Sequence, residues 1–201
     1  MPSTSRQPPS WPSHVQYIDT PRYHSSVPCP IRTFLIGGTN LSSAPQKTSS
    51  ISFPSTRSPV RIRRISDPSH PARGQNGLFA VQKIPSRSHI IDYIGEVHCQ
   101  NRVDSDYDLS LFRSQDGDNV GVDASVMGNE ARFVNDYRGI RGKPNAVFVE
   151  NRTPQGELRI SIWSSTDPIK KGDEILVSYG KSWWRSRTAQ TAFTDAIPDS
   201  T

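Results

Sequence analysis

The segment Gly172–Gly180, with the sequence Gly-Asp-Glu-Ile-Leu-Val-Ser-Tyr-Gly, constrains the fold more than any other part of the chain. A turn at Gly172 leads into an apolar run of strand length, and the run ends at Tyr179. A second segment, Gly128–Asp136, lies upstream and reads Gly-Asn-Glu-Ala-Arg-Phe-Val-Asn-Asp. A tyrosine at the end of one strand is usually a packing residue, so its interpretation depends on the segments that accompany it.

Two further segments complete an ordered series. Gly74–Ala80 reads Gly-Gln-Asn-Gly-Leu-Phe-Ala, and Tyr93–Val97 reads Tyr-Ile-Gly-Glu-Val. In this order the four segments resemble the motifs of SET-domain protein lysine methyltransferases. The resemblance covers residues 59–187 and implies a mostly β SET-domain fold. In that fold small antiparallel sheets and short helices accompany a C-terminal pseudoknot, in which the segment around Asn135 is threaded under a loop of the C-terminal motif.

The positive charge of the chain is concentrated near its start. Residues 1–72 contain eight Lys or Arg and two Asp or Glu, whereas residues 73–201 contain sixteen and seventeen. We therefore expect no direct nucleic-acid site in the folded domain. Because Pro and Ser dominate the N-terminal part, residues 1–58 are predicted to be a mostly disordered basic tail, with residues 31–36 as a short strand or a docking peptide. Residues 188–201 are predicted to be a C-terminal tail.

Cysteine content and hydropathy narrow the class of protein. With only Cys29 and Cys99, a disulfide framework is not expected. Many members of the SET family complete a zinc site with cysteines beyond the closing tyrosine. This chain has no cysteine after Cys99, so we predict no metal site. No apolar run is long enough for a membrane span, and we expect a soluble, intracellular monomer, with the nucleus favoured over the cytoplasm.

Short runs of β-branched and aromatic residues from residue 60 onward, broken by Gly, Pro and Asp, are typical of many short strands. The predicted strands cover residues 60–65, 78–84, 90–94, 120–123, 146–150, 158–163 and 175–178. Helical periodicity is weak, and the best helix candidates are residues 102–112 and 129–134.

The resemblance implies binding of S-adenosyl-L-methionine. In the family, the glycine-rich loop contacts the methionine part of this cofactor, and the Asn of the third motif, with the residue after it, binds the adenosine part. The implied cofactor contacts in this chain are Gln75, Asn76, Gly77, Leu78, Arg132, Phe133, Asn135, Asp136, Tyr179 and Trp183.

Several of these residues have a purely structural alternative. The glycine pair at 74 and 77 also suits a plain hairpin turn, and Asn135 also suits a helix cap. Trp183 would stack on adenine or pack within the C-terminal segment. Asp136 stands where the family has His, and the glycine spacing is Gly-x-x-Gly rather than Gly-x-Gly.

The resemblance also implies the catalytic and substrate-binding residues. Tyr179 takes the catalytic role of the closing tyrosine, and Tyr93 lies in the wall of the lysine channel and steers the amine. Tyr107 would line the peptide groove, and Val177 occupies the position that tunes the methylation product. The aspartate-rich stretch of residues 101–123 is either a solvated loop or one side of the groove that attracts a basic peptide.

The sequence therefore predicts S-adenosylmethionine-dependent methyl transfer to a lysine ε-amine in a basic protein or peptide, with a histone tail as one candidate. The departures at Asp136 and in the glycine spacing favour an alternative, a catalytically weak or inactive SET-like module that binds peptides. A third hypothesis is a basic adaptor that acts through its Arg-containing N-terminal tail.

Overall fold

The structure of the protein is a computed structural model that describes residues 7–37, 58–114 and 117–180. Within these residues one α-helix, α1 (Cys29–Ile36), and one 3-10 turn, η1 (Glu130–Phe133), accompany a set of short strands. The strands are β1 (Gln16–Tyr17), β2 (Arg22–Tyr23), β3 (Val60–Arg64), β4 (Asn76–Ala80), β5 (His89–Asp92), β6 (Glu96–His98), β7 (Asp108–Arg113), β8 (Asn119–Asp123), β9 (Met127–Gly128), β10 (Asn135–Asp136), β11 (Ala146–Arg152), β12 (Leu158–Ser164) and β13 (Leu176–Val177).

The strands form small sheets. The larger sheets have the orders β2-β6-β8-β7 and β11-β12-β5, and three two-stranded sheets pair β1 with β9, β3 with β4 and β10 with β13. Most pairings are antiparallel, as predicted, but the short pairings β1–β9, β2–β6 and β10–β13 are parallel. Each predicted strand overlaps an observed one.

Apolar side chains that alternate along these strands meet in a single core. The fully buried members include Leu78, Ile94, Val97, Leu111, Val120, Ile162, Ile169, Ile175, Leu176 and Val177. Burial of this apolar surface is the main source of stability for such short strands, because each strand alone contributes few backbone hydrogen bonds.

The N-terminal part is more ordered than predicted. Residues 7–37 dock onto the strands, so the prediction of a disordered tail is wrong for this range, and residues 38–57 lie outside the described residues. β1 pairs with β9 and β2 pairs with β6. This segment is ordered because spaced apolar side chains along it are buried in the core. They are Trp11, Val15, Ile18, Val27 and Leu35.

Residues 31–36 are helical rather than a strand or an extended docking peptide. α1 begins after Pro28, and a proline at its first turn costs no hydrogen bond. The helix ends at Gly37, whose φ of 98° is the left-handed conformation that glycine adopts easily. A Cβ atom at Gly37 would lie 2.9 Å from the backbone carbon of Gly156, so α1 ends directly against the turn between β11 and β12.

The two helix predictions in the folded part had different outcomes. Of the helix predicted over residues 129–134, Glu130–Phe133 form the 3-10 turn η1, and the Asn129 side chain caps it by accepting a hydrogen bond from the Ala131 amide. The helix predicted over residues 102–112 is wrong, because its second half is strand β7, paired with β8. The Ser105 hydroxyl accepts a hydrogen bond from the Tyr107 amide, a local bond that competes with helix formation.

The pairing of β10 with β13 positions the candidate site. Asn135 lies opposite Leu176, and Asp136 lies opposite Val177. The alternative of Asn135 as a helix cap is therefore excluded, because Asn135 begins a strand. This pairing joins the two segments that carried the sequence interpretation.

Candidate functional site

Two tyrosines from distant parts of the chain, the buried Tyr93 and the partly buried Tyr179, converge at the site. The Tyr93 hydroxyl donates a hydrogen bond to the carbonyl of Tyr107 at 2.8 Å. The Tyr179 hydroxyl donates to the carbonyl of Val134, also at 2.8 Å. Each phenol is thus fixed by a backbone oxygen, and Tyr179 is held directly beside the residue that precedes Asn135.

Both phenols are kept in the neutral form. Burial raises the pKa of Tyr93 well above its ordinary value, and the neighbouring Tyr179 adds to the effect. Burial also raises the pKa of Tyr179, followed by the negative charge of Asp136. A carboxylate or an apolar environment near a phenol disfavours phenolate, so both hydroxyls remain hydrogen-bond donors at neutral pH.

Phe148 and Tyr107 extend the aromatic surroundings of Tyr93. The Phe148 ring packs edge-on against Tyr93 with the ring centroids 6.2 Å apart. A groove of about 260 Å³ lies next to Phe148, between strands β7 and β11. Both strands are edges of their sheets. The groove is lined by Leu109, Ser110, Phe148, Val149, Glu150 and Ile160.

The side chains of Arg132 and Phe133 contact other parts of the protein. Arg132 contacts Tyr107, and Phe133 contacts Trp11 in the N-terminal segment. The Arg132 Nε atom donates to the carbonyl of Ala124 at 2.8 Å, and its guanidinium lies 4.1 Å from the centre of the Tyr107 ring. Phe133 packs edge-on against Trp11 with the ring centroids 5.5 Å apart. Arg132 therefore positions Tyr107, which in turn receives the Tyr93 hydrogen bond.

Asn135 lies between the glycine-rich segment and the turn before β13. Its Nδ2 atom donates to the Glu174 Oε1 atom at 2.8 Å and to the Asn76 carbonyl at 3.5 Å. A Cβ atom at Gly77 would lie 2.6 Å from the Glu174 Oε1 atom. The predicted residues Asn76, Gly77 and Asn135 are thus brought together around the Glu174 carboxylate.

Asp136, which stands in place of the family histidine, links β10 to the C-terminal tyrosine. Its carboxylate accepts a hydrogen bond from the Tyr179 amide at 2.8 Å. It also accepts from the Arg138 guanidinium and the Arg138 amide. Through these charge-assisted bonds, the aspartate at this position has a defined structural role.

The remaining predicted residues occupy different environments. Leu78 and Val177 are fully buried in the core. The Gln75 carbonyl accepts a hydrogen bond from the Ile65 amide at 2.8 Å, which closes the loop between β3 and β4. Trp183 lies outside the described residues.

The aspartate-rich stretch of residues 101–123 consists of a loop followed by the β7–β8 hairpin. β7 and β8 pair along it, and Arg102 forms ion pairs with Glu96 and Asp123. Asp104 and Asp106 are exposed. Part of the negative charge is thus neutralised within the hairpin, and part faces solvent beside Tyr107.

The described part of the chain contains neither a metal cluster nor a membrane-spanning helix. Within residues 7–37, 58–114 and 117–180 no cluster of three His, Cys, Asp or Glu side chains is arranged to hold a metal ion. Over the same ranges no helix has the length and apolar character needed to cross a membrane.

A family model of the SET domain matches residues 75–180, which is more than half of the chain. The chain belongs to the SET-domain family. The matched segment contains β4 and β13, the elements that bring Gly77, Asn135 and Tyr179 together.

The curated relatives of this SET domain are named histone-lysine N-methyltransferases. Human EHMT1 is 29% identical over 113 residues, which cover 54% of this chain and 8% of EHMT1. The Schizosaccharomyces pombe enzyme described as H3 lysine-4 specific is 32% identical over 111 residues, which cover 51% of this chain and 11% of that protein. Chicken SUV39H2 is 32% identical over 114 residues, 51% of this chain and 27% of the relative. This SET domain therefore spans only a small part of these proteins.

A solved structure supports the fold. ATXR5 in complex with histone H3.1 mono-methylated on R26 has a TM-score of 0.57 and 18% sequence identity to this chain. The alignment covers 84% of this chain and 82% of that one. Together with the family match, it confirms the prediction of a mostly β SET-domain fold.

Three contacts of the site were not predicted from the sequence. They are the packing of Trp11 on Phe133, the hydrogen bond of His70 with Glu174 and the pairing of Arg138 with Asp136. Arg138 lies only two residues after Asp136, so the pairing of their side chains is the one contact of the three that local sequence spacing could have suggested. The other two contacts join distant parts of the chain.

Proposed function

We propose that this SET domain transfers a methyl group from S-adenosyl-L-methionine to the ε-amine of a lysine in a basic protein, with histones as the leading substrate class. The observation that carries the proposal is the convergence of Tyr93 and Tyr179, two neutral phenols, one buried and one partly buried, that are each fixed by a backbone carbonyl. The names of the relatives and the histone in the ATXR5 complex support the substrate class.

The polar groups at the site fit a cationic cofactor. Phenol oxygens, the Asn135 amide and the backbone of Asn76 and Gly77 offer uncharged acceptors and donors, and the Asp136 carboxylate is engaged by Arg138. When bound, S-adenosylmethionine supplies an electrophilic methyl group on a sulfonium centre. Gly77 carries no side chain, and this allows the Glu174 carboxylate to approach the glycine backbone closely.

The tyrosines would prepare the substrate lysine for the reaction. A lysine must lose its proton before it can act as a nucleophile, at a cost of roughly 4–5 kcal/mol at neutral pH. The aromatic surroundings of Tyr93 and Phe148 lower the pKa of an inserted amine by desolvation, and the neutral phenols offer it no counter-charge. Deprotonation to solvent then becomes feasible without a dedicated base.

Alignment would provide the larger part of the rate enhancement. Holding two reactants in near-attack geometry is worth on the order of 7–11 kcal/mol. Tyr179 is suited to this role because both its amide and its hydroxyl are fixed, by Asp136 and by Val134. We propose Tyr179 and Tyr93 as the catalytic residues and Tyr107 as a substrate contact, whereas Val177 is fully buried and packs in the core.

The direct test measures methyl transfer and cofactor binding separately. The protein is incubated with tritium-labelled S-adenosylmethionine and nucleosomes, free histones or a histone H3 tail peptide, and cofactor binding is measured by calorimetry. We expect label in a histone and a measurable heat of binding. Absence of both signals, from a protein that is folded by circular dichroism, would refute the proposal. A functional protein of this kind is expected in the nucleus, which a tagged chain in cells would check.

One observation favours the alternative of a peptide-binding module without turnover. The side-chain nitrogen of Asn135, the residue that the family uses for cofactor, already donates its hydrogen bond within the protein to Glu174. Binding of the histone H3 peptide with no heat of S-adenosylmethionine binding would select this alternative.

A further inference from the structure

The Glu174 carboxylate lies between the side chains of His70 and Asn135, which come from distant parts of the chain. Its Oε1 atom accepts a hydrogen bond from the Asn135 Nδ2 atom at 2.8 Å, and its Oε2 atom lies 2.9 Å from the His70 Nε2 atom. The side chains of His70 and Glu174 are only 7% and 9% exposed. A buried carboxylate is stable only with such hydrogen-bond partners, so this three-residue chain is a fixed feature of the fold.

The proton positions along this chain follow from a fourth contact. The Ala72 amide donates a hydrogen bond to the His70 Nδ1 atom at 3.0 Å, so Nδ1 is an acceptor. The ring proton of neutral His70 must then lie on Nε2, from which it is donated to Glu174. His70 is therefore a donor toward Glu174 and cannot become an acceptor without losing the Ala72 bond.

The loop that carries His70 is itself fixed in place. The Asp67 side chain accepts a hydrogen bond from the Ser69 amide, and the His70 amide donates to the Asp67 carbonyl. A Cβ atom at Gly139 would lie 2.7 Å from the Pro71 ring, which shows how closely the loop packs on the turn after β10. His70 is thus held against Glu174 by its own loop.

The orientation of the Asn135 amide depends on Glu174. Both hydrogen bonds of this side chain use Nδ2, the stronger one to Glu174 and the longer one, at 3.5 Å, to the Asn76 carbonyl. An asparagine amide can rotate by half a turn and exchange its oxygen with its nitrogen. A carboxylate, which only accepts, forces Nδ2 toward itself and leaves Oδ1 as the acceptor for a ligand.

We infer that Glu174 and His70 are positioning residues that set the amide orientation of Asn135, so that Oδ1 accepts a hydrogen bond from an N–H group of S-adenosylmethionine. The inference rests on the proposed function, because it assigns a role in binding the same cofactor. Glu174 acts through Asn135, and His70 acts through Glu174 by holding the carboxylate in place against the asparagine.

The decisive variants are Glu174→Gln alone and combined with His70→Ala. Glutamine has one acceptor and one donor end, whereas His70 and Asn135 both present donors. Because His70 cannot change its role, the glutamine oxygen faces His70 and its amino group faces Asn135, whose amide rotates. We expect the dissociation constant for S-adenosylmethionine to rise by about tenfold, the effect of one lost buried hydrogen bond.

The double variant should restore binding. Without the His70 donor, the glutamine is free to turn its oxygen toward Asn135, and the native amide orientation returns. We expect a dissociation constant within about threefold of the unmodified protein. A role of Glu174 in stability alone predicts the opposite order, with the double variant weaker than the single one.

Two additional measurements complete the test. In the ligand-free proteins, the side-chain amide signal of Asn135 in a nitrogen-15 NMR spectrum should shift in the single variant and return in the double variant. With enzyme activity as the readout, the single variant should raise KM for the cofactor and leave kcat within about twofold. The control is His89→Ala, which removes another histidine–carboxylate pair, His89 with Asp92, away from Asn135.

The possible results separate this inference from the proposed function. If the unmodified protein binds S-adenosylmethionine and Glu174→Gln binds equally well, the inference is wrong and the proposed function stands. The same conclusion holds if the double variant is weaker than the single one. If the unmodified protein does not bind the cofactor, the proposed function fails, and the role assigned to Glu174 fails with it.

Discussion

The hydroxyl of Tyr179 donates a hydrogen bond to the backbone carbonyl of Val134, 45 residues earlier in the chain, at 2.8 Å. Val134 immediately precedes Asn135, and Asn135 pairs with β13 through Leu176. The orientation of the tyrosine and that of the asparagine strand are therefore set by one another. A change in either segment alters the geometry of the other.

Removal of the Tyr179 hydroxyl should separate binding from turnover. In Tyr179→Phe we expect kcat to fall on the order of 10²-fold, the usual effect of removing one oriented polar group at a reacting centre. Cofactor affinity should change by less than about threefold, because the amide of residue 179 still reaches Asp136. Single-turnover methyl transfer and calorimetry measure the two quantities.

The matched control is Tyr23→Phe. This tyrosine is also partly buried and donates its hydroxyl to Glu157 at 3.0 Å, but it belongs to β2 in the N-terminal segment. The kcat of the Tyr23→Phe variant should remain within about twofold of that of the unmodified protein. Equal losses of kcat in the two variants would show that loss of any buried hydroxyl, rather than the position of Tyr179, explains the effect.

The pH dependence of methyl transfer should be set by the substrate amine. Burial raises the pKa of both Tyr93 and Tyr179 above the ordinary value of about 10. Neither phenol then ionises as the pH rises from 7 to 10, while the neutral fraction of free lysine increases. We expect kcat/KM to rise with pH over this range without a decline, in assays where circular dichroism shows the protein folded. A decline between pH 8 and 10 would mean that a phenol ionises there.

An alanine at Gly77 should weaken cofactor binding by disturbing Glu174. The added methyl group would lie 2.6 Å from the Glu174 Oε1 atom and 2.9 Å from the Phe79 ring. Glu174 is held by His70 and Asn135 and has little freedom to move away. We expect a loss of about 1–3 kcal/mol in the free energy of unfolding, measured by urea denaturation, and weaker binding of S-adenosylmethionine by calorimetry.

Gly142→Ala is the control for this substitution. No atom lies within 4 Å of a Cβ atom built at Gly142. Its unfolding free energy should stay within about 0.5 kcal/mol of the unmodified protein. A Gly77→Ala protein as stable and as tight in binding as Gly142→Ala would disprove the assigned contact with Glu174.

The Trp11 side chain should be essential to the stability of the domain. Trp11 packs edge-on against Tyr17 and Phe133, and its indole nitrogen donates to the Val15 carbonyl. We expect Trp11→Ala to cost about 3–5 kcal/mol, as is usual for a buried tryptophan. Ile36→Ala, at an exposed position of α1, should cost less than about 1 kcal/mol in the same urea titration. A small cost for Trp11→Ala would mean that residues 7–37 contribute little to the fold.

The Asp123 carboxylate should stabilise the protein at neutral pH and lose this effect in acid. Burial alone would raise its pKa, but hydrogen bonds from Ser125, Ser105 and Arg102 outweigh burial and hold the pKa below its ordinary value. A lowered pKa contributes stability above the unfolded-state value of about 3.9, and this stability is lost as the pH falls below it.

Asp123→Asn tests this dependence. We expect a loss of about 1–3 kcal/mol in unfolding free energy at pH 7, which shrinks as the pH falls from 5 to 3. Urea titrations at these pH values provide the measurement, and Asp104→Asn, at an exposed position, should show no such trend. If the Asp123→Asn variant is less stable than the unmodified protein by the same amount at every pH, the charge of Asp123 is not responsible.

The strands were predictable from local sequence, whereas the association of the two main motifs was implied only by the resemblance to the SET-domain family. Alternating apolar residues at 60–65 and 158–163 have the period of a strand, and the runs around Asn135 and Tyr179 matched known motifs in order and spacing. For the strands the local pattern was sufficient, because the alternation of apolar and polar residues determines both the extended conformation and the face that is buried.

The contacts that complete the site were not predictable in this way. His70 and Glu174 are 104 residues apart, and no periodic pattern links a histidine in a proline-containing loop to a turn near the end of the domain. Composition also misled the prediction for residues 7–37. The low fraction of apolar residues in this segment predicted disorder, but Trp11, Val15 and Leu35 are each buried in the folded protein.

The added strands β1 and β2 show that the folding unit begins well before the segment that the family model matches. An excised fragment that starts near residue 58 would leave β6 with an unpaired edge and would uncover the Phe133 ring. Unprotected strand edges and open apolar surfaces promote aggregation. Such a fragment should therefore be poorly soluble even though every recognisable motif is present.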